Sequence, residues 1–151
     1  MKILQIATHY YPRVGGLEYV VKSVSERLVK MGHEVTVIAG EPDIKKPCEE
    51  EVNGVRVVRW PTWRPRGAYH FPRRRSKLEQ RPLEIAKKAD VVHLHSVHSV
   101  LTVYSLRVVK NRNARIVMTP YYHGTGHTLV RRFFWIFWRR YVKSLLRGCL
   151  L

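Results

Sequence analysis

Short runs of consecutive apolar residues alternate along this chain with segments in which apolar residues return every three or four positions. The runs are Lys2–Thr8 (KILQIAT), Val35–Ala39 (VTVIA), Val55–Trp60 (VRVVRW), Asp90–Leu94 (DVVHL) and Arg115–Thr119 (RIVMT). Near-continuous apolar runs of this length predict strands covered on both faces, as in a parallel sheet. After the first run, Leu17, Val20, Val21, Val24, Leu28 and Met31 fall at helical spacing, and Gly32 is placed to end that helix. Helical spacing returns in Leu83–Ala89, in Val97–Lys110 and in Thr128–Arg147. Between Pro61 and Pro82 no period holds. That stretch predicts a long basic loop, with the helix that ends at Ala89 starting near Ser76. Strand alternating with helix gives an α/β fold with a doubly wound parallel sheet, one Rossmann-like domain over residues 1–151.

Composition changes this picture in one respect. An apolar content of 45% is that of a globular domain, and the length suits a single core. The formal net charge of +17, however, creates a long-range field that attracts phosphates, anionic lipid or nucleic acid. The two cysteines, Cys48 and Cys149, have no C-x-x-C spacing, so neither a zinc site nor a redox motif is supported. No secretory leader and no uncharged apolar span of about 18 residues is present, which predicts a cytoplasmic protein.

In such a sheet the ligand crevice lies at the carboxyl ends of the strands, and three loops with unusual residues arrive there. The first, His9–Gly16 (HYYPRVGG), ends in paired glycines at a helix N-terminus, where free N–H groups and a partial positive charge suit an anion. It is not a dinucleotide fingerprint, because G-x-G-x-x-G is absent, nor a P-loop. The second, His93–His98 (HLHSVH), places His93 and His95 on one side of a strand, roughly 6.5–7 Å apart. Without a Cys, Asp or Glu beside them no metal site is expected; one histidine is expected in the core and His95 open to the crevice. The third, Thr119–His127 (TPYYHGTGH), carries His123 where an imidazole can meet hydroxyl groups.

The order of YYPRVGGLEYVVKSVSERLVKMGHEVTVIAG, DVVHLHS and VMTPYYHG resembles the N-terminal domain of glycosyltransferase family 4, retaining enzymes of GT-B fold that use nucleotide sugars. Gly15, Gly16, Gly32, His33, Glu34, Val35, Asp90, His93, His95 and His123 carry the resemblance. It implies a hexosyltransferase in which Gly15 and Gly16 border the donor diphosphate and His123 is the catalytic residue beside the transferred sugar. It further implies that His9, Tyr10, Tyr11, His95, Ser96 and Tyr122 bind the acceptor. No cofactor is implied beyond the nucleotide sugar as co-substrate. The E-x7-E motif of the family's donor domain is not found in place: Glu18/Glu26 and Glu26/Glu34 have the spacing but lie on the first helix and at the start of the second strand. The expectation is an acceptor-side half whose C-terminal donor domain is absent, inactive alone, with the nucleotide sugar reached through a missing or separate donor domain.

Thr128–Arg147 (TLVRRFFWIFWRRYVKSLLR) has a broad apolar face and a basic face, the pattern of a helix at an anionic bilayer surface. Phe134, Trp135, Phe137, Trp138, Arg139 and Arg140 are its expected membrane contacts. Residues 59–81 add Arg59, Arg64, Arg66, Arg73, Arg74, Arg75, Lys77 and Arg81 as a second basic patch. The expected place of work is the inner face of the cell membrane, with a lipid-linked acceptor. The competing reading is a non-catalytic basic α/β module that binds anionic lipid or nucleic acid, although no nucleic-acid module accompanies the charge.

Overall fold

The computed structural model describes residues 1–63, 71–73, 80–81, 84–110, 115–121 and 129–147, with backbone alone for 129–132 and 134. Its elements, in chain order, are β1 (Lys2–Ala7), α1 (Gly16–Lys30), β2 (Glu34–Glu41), β3 (Cys48–Val52), β4 (Val55–Trp63) and the two-residue β5 (Phe71–Pro72). A helix α2 follows, of which residues 80–81 and 84–86 are described. Then come β6 (Val91–His95), α3 (Val100–Val109), β7 (Arg115–Thr119) and α4 (Leu129–Arg147). All five predicted strands are present.

The main sheet runs β3-β4-β2-β1-β6-β7. β4, β2, β1, β6 and β7 are parallel neighbours, while β3 pairs antiparallel with β4 at one edge. Two apolar clusters sandwich the sheet. Ile3, Ala7, Val35, Val37, Ala39, Val55 and Val57 face α1 with Tyr10 and Val21. Leu4, Ile6, Ile38, Val58, Val92 and Leu94 face the other way, onto residues of α3 and the end of α4. Alternate residues of one strand thus serve two cores, which is why the strands read as unbroken apolar runs.

The end of α1 shows how local chemistry fixes the path. Gly32 has φ +84, its N–H bonds to Val29 O at 2.9 Å, and His33 N–H bonds to Leu28 O at 3.1 Å. That is the glycine-terminated helix end expected from the sequence. The strand β3 was not expected. Its residues Glu49, Glu50 and Glu51 are exposed and polar, so no apolar run marks them. The legible signal was Asn53-Gly54, both in the left-handed region (φ 52 and φ 79), the pair that a two-residue hairpin turn demands. Exposed glutamates, paired with Arg56, Arg59 and Arg81, also keep this edge from pairing with another chain.

Gly54 is the tightest point of the hairpin, since an added Cβ would stand 2.9 Å from Val29 Cγ1 at positive φ. Gly54→Ala is expected to lower the unfolding free energy by about 1–2 kcal/mol. A urea melt checks this: the midpoint should fall while its slope stays constant.

Candidate functional site

The strand order reverses between β1 and β6, and in an open parallel sheet ligands bind outside the carboxyl ends at such a point. Three segments leave the sheet at this rim: the loop from Thr8 to Gly15 after β1, Ser96–Ser99 after β6, and Pro120-Tyr121 after β7.

The first loop is fastened from below by the ends of β2 and β4. His9 Nδ1 lies 3.0 Å from the Gly40 carbonyl, and burial holds this imidazole below its ordinary pKa. Arg13 pairs with Glu41 at 2.7 Å and with Asp43. Burial alone would push the Glu41 carboxyl up, but the hydrogen bond and charge of Arg13 hold it below the usual value. Arg59, only 5% exposed, donates to the carbonyls of Tyr10 and Tyr11 and, from Nε, to Glu50 at 2.6 Å. A buried guanidinium needs every one of these acceptors. Arg59, expected within the second basic patch, is thereby withdrawn from that surface: buried at the end of β4, it clamps the loop to the edge strand. Arg81 is likewise tied up, by Glu49 and Glu84. Arg64, Arg66, Arg74, Arg75 and Lys77 lie outside the described residues.

The loop delivers Gly15 and Gly16 to the start of α1. Gly15 caps the helix with its carbonyl, 2.9 Å from Tyr19 N, and a Cβ there would collide with the Glu18 carboxylate. Gly16 is different. A Cβ on Gly16 would meet nothing within 4 Å among the described residues, and its φ is not in the left-handed region.

The other two loops are linked by backbone and side chain. Ser96 N–H bonds to Thr119 O at 2.9 Å, and Val97 N–H to Pro120 O at 3.2 Å. Ser96 (φ 74) and Tyr121 (φ 46) are non-glycine residues held in the left-handed region, a conformation kept only where surroundings enforce it. His93 Nε2 lies 2.8 Å from Thr119 Oγ1, and its ring stands 4.0 Å from that of His95. His95 Nε2 lies 3.1 Å from Gln5 Oε1, and its Nδ1 lies 3.3 Å from Tyr121 Oη. Burial, and then the neighbouring His93, push the His95 pKa down to about 3. His95 is neutral at every physiological pH.

Of the expected acceptor residues, His9 and Tyr11 stand at the rim, Tyr11 44% exposed. Tyr10 is fully buried among Ile3, Val21 and Val37, and burial raises its phenol to about 12. His95 is also fully buried and Ser96 nearly so. The assignment of the two histidines is thereby reversed: His93 is the partly open one and His95 the core residue, because Gln5 of β1 and Tyr121 take up its two ring nitrogens. Tyr122 and His123 lie outside the described residues. Among the described residues no three His, Cys, Asp or Glu side chains are grouped to hold a metal ion. A concavity of about 200 Å³ at the opposite end of the strands, lined by Lys2, Glu34, Arg56, Arg81 and Glu84, is no part of this crevice.

α4 splits differently from its expected apolar and basic sides. Val142 and Leu145 are buried, and Trp135, Trp138 and Leu146 pack on the same core. Trp138 Nε1 donates to Val97 O at 2.6 Å, and the Trp135 ring stacks 4.4 Å from His98. Trp135 and Trp138 therefore grip the loop after β6 and do not face outward, a correction to their expected membrane contact. Phe133, Ile136 and Phe137 are about half exposed and share the outer side with Arg139, Arg140, Lys143 and Arg147. The Phe134 side chain is outside the described set. No helix among the described residues is long and apolar enough to cross a membrane.

The sequence pattern of Glycosyltransferase Family 4 matches residues 14–150. The chain belongs to that family. An uncharacterized glycosyltransferase of Methanocaldococcus jannaschii is 47% identical over 60 residues, which is 39% of this chain and 15% of that protein. An uncharacterized 42.6 kDa protein in the cps region of Klebsiella pneumoniae is 38% identical over 63 residues, 40% of this chain and 16% of that one. The sucrose-phosphate synthase of Thermosynechococcus elongatus superposes with TM-score 0.60 at 18% identity, over 93% of this chain and 39% of its own. That likeness is one of fold: this family-4 domain has the N-terminal GT-B architecture. The matched region spans well under half the length of each relative.

Because His95 stays neutral down to about pH 3 when folded but takes up a proton near 6.5 when unfolded, its contribution to stability is complete above neutral pH. That contribution is lost as pH falls from about 6.5 toward 3; His9 and His93 shift in the same direction. Between pH 7.5 and 5.0 the family-4 domain should lose about 2 kcal/mol through His95 alone. His95→Gln should be less stable at pH 7.5 yet show a flatter pH dependence in urea melts; equal slopes would contradict the buried neutral imidazole.

Proposed function

We propose that this domain forms the acceptor side of the cleft in a nucleotide-sugar-dependent glycosyltransferase, with the donor diphosphate facing Gly15 and Gly16. The carrying observation is Gly16. Neither packing among the described residues nor backbone conformation requires a glycine there, and it opens α1 at the reversal point of the sheet. A missing side chain in open space beside a helix N-terminus suits the close approach of an anion. His123, two residues beyond Tyr121 of the same rim, is the residue proposed beside the transferred sugar, and His9, Tyr11 and Tyr122 are proposed on the acceptor side.

The outer side of α4 supports work at an anionic membrane, on a lipid-linked acceptor presented at the inner face. Phe133, Ile136 and Phe137 lie exposed next to Arg140, Lys143 and Arg147, and aromatic residues flanked by arginines bind a headgroup layer through burial and charge together. This arrangement does not use the two tryptophans.

Two measurements test the proposal. Gly16→Ala places alanine in the first turn of a helix and should leave stability unchanged or raise it by up to about 1 kcal/mol. The same substitution should abolish sugar transfer in the full native protein assayed with a panel of nucleotide sugars; full retention of transfer would end the diphosphate assignment. In flotation with phosphatidylglycerol vesicles at low salt, Phe137→Ser should reduce binding several-fold while Trp138→Phe should not. Binding to a labelled oligonucleotide in preference to vesicles would instead favour the nucleic-acid module.

A further inference from the structure

Gly15 is a glycine for a different reason from Gly16. It is the N-cap of α1 in extended backbone (φ −168, ψ 169), a conformation open to any residue. What excludes a side chain there is Glu18: a Cβ on Gly15 would stand 3.2 Å from Glu18 Cδ and closer still to its Oε2. The half-buried Glu18 carboxylate therefore lies against the Cα of the N-cap, one residue from the open space beside Gly16. A glutamate at this third helical position characteristically reaches back to the N-cap N–H. Glu18 does not: its carboxylate makes no hydrogen bond and no ion pair among the described residues. The neighbouring cations are engaged elsewhere, Arg13 with Glu41 and Asp43, Lys22 with Glu26. The charge does reach the rim. Burial lowers the His9 imidazole, and Glu18 is among the groups that oppose that shift.

The start of α1 thus already holds an anion of its own. The helix dipole there favours a carboxylate as it favours a phosphate. A diphosphate that approaches Gly16 meets the carboxylate on Gly15 at close range. Two unit charges about 4 Å apart weaken binding about fivefold even at the dielectric of bulk water, and each further charge on the nearer phosphate adds to the penalty. In a nucleotide sugar both phosphates are diesters and carry one charge each. Transfer breaks the bond between the anomeric carbon and the phosphate oxygen, which keeps the electron pair, while the acceptor hydroxyl bonds to that carbon and releases its proton to solvent. The phosphate that held the sugar is then a free end, with nearly a second charge at neutral pH because that ionisation lies at about pH 6. It is also the phosphate nearest the transferred sugar, and so nearest the acceptor side.

We infer that Glu18 is a specificity-determining residue that favours the nucleotide-sugar donor over the nucleoside diphosphate left after transfer, so that the used nucleotide is expelled. The inference rests on the proposed diphosphate site at Gly16 and deepens it, since it says which diphosphates that site prefers. A helix start without an acid attracts the more highly charged product more strongly than the donor. A fixed carboxylate beside it opposes that order by repulsion, the element of discrimination that attraction alone does not supply. Gly15 contributes by leaving room for the carboxylate to lie where it does.

Two small probes isolate the charge: symmetrical dimethyl diphosphate, with one charge on each phosphate, and monomethyl diphosphate, whose free end carries a second charge at about pH 8. Their binding is read at low salt from the nitrogen-15 amide shifts of Gly16 and Leu17. Glu18→Gln, close to isosteric, should tighten the dimethyl ester about fivefold and the monomethyl ester about twenty-five-fold. Glu18→Asp keeps the charge and should keep the preference of the unmutated protein. Glu84→Gln removes the same charge at the opposite end of the strands, which controls for the net charge of +17, and should leave the ratio of the two affinities unchanged. A ratio altered as much by Glu84→Gln as by Glu18→Gln, or equal tightening of both esters by Glu18→Gln, would overturn the role of Glu18. Failure of both probes to move these amides in every variant would remove the diphosphate site itself. Movement that Glu18→Gln leaves unaltered would end the Glu18 assignment alone and leave that site standing.

Discussion

The parallel pairing of β1 with β6 is the contact on which the remaining architecture depends. It joins residues some ninety positions apart, with Gln5 opposite His93 and Ile6 opposite Leu94. Once it forms, the strands on either side of it must receive their crossovers on opposite faces, because such connections are right-handed. α1 is thereby assigned to one face, and α3 with the end of α4 to the other. The crevice opens at the same place, since the chain diverges in two directions there and leaves the strand ends uncovered. The pairing also carries a polar cost in its centre, the amide of Gln5, which only a histidine on the neighbouring strand and a serine on the covering helix make tolerable.

The rim of the crevice is held by charge and hydrogen bonding more than by apolar burial. Arg59, Arg13 and His9 connect the loop before α1 to the ends of β2 and β4. Ser96 and Val97 connect the loop after β6 to β7. A loop that must leave room for a ligand cannot bury much apolar surface of its own, so its order comes from backbone carbonyls taken up by neighbouring side chains. The same logic explains the inner side of α4. Its indoles do not simply fill space; Trp138 donates to the backbone of the β6 loop and Trp135 stacks on His98, so the helix with the outward aromatic and basic side is bolted to the crevice. A surface bound by α4 and a substrate bound at the rim would thus be held in one rigid frame.

All five parallel strands, the glycine that ends α1, and the identity of the rim loops were readable from the chain alone. Each is specified locally: an apolar run in the case of Val35–Ala39, a Gly at positive φ in the case of Gly32, a strand end followed by Pro or Gly in the case of Pro120. The edge strand β3 was missed because an exposed edge needs no apolar run, and its Asn53-Gly54 turn was the one local mark it left. The division of α4 was misread because a helical wheel gives the faces but not which of two aromatic faces meets the core. Phe137 and Trp138 read alike as membrane contacts, yet Phe137 lies exposed while Trp135, Trp138 and Val142 occupy the interface with the core.

The class of fold, the order of its elements and the family are legible in the chain, because they rest on periodicity and turn chemistry that act within a few residues of one another. Which residues of the candidate site are open and which are buried is a matter of tertiary structure. Arg59 reads as surface charge and is an internal clamp; His95 reads as open to the crevice and is a buried core residue; Tyr10 reads as an acceptor contact and is buried among Ile3, Val21 and Val37. The physical reason is common to all three. Burial and hydrogen-bond partnership are set by groups far away in the chain, and no local pattern encodes them.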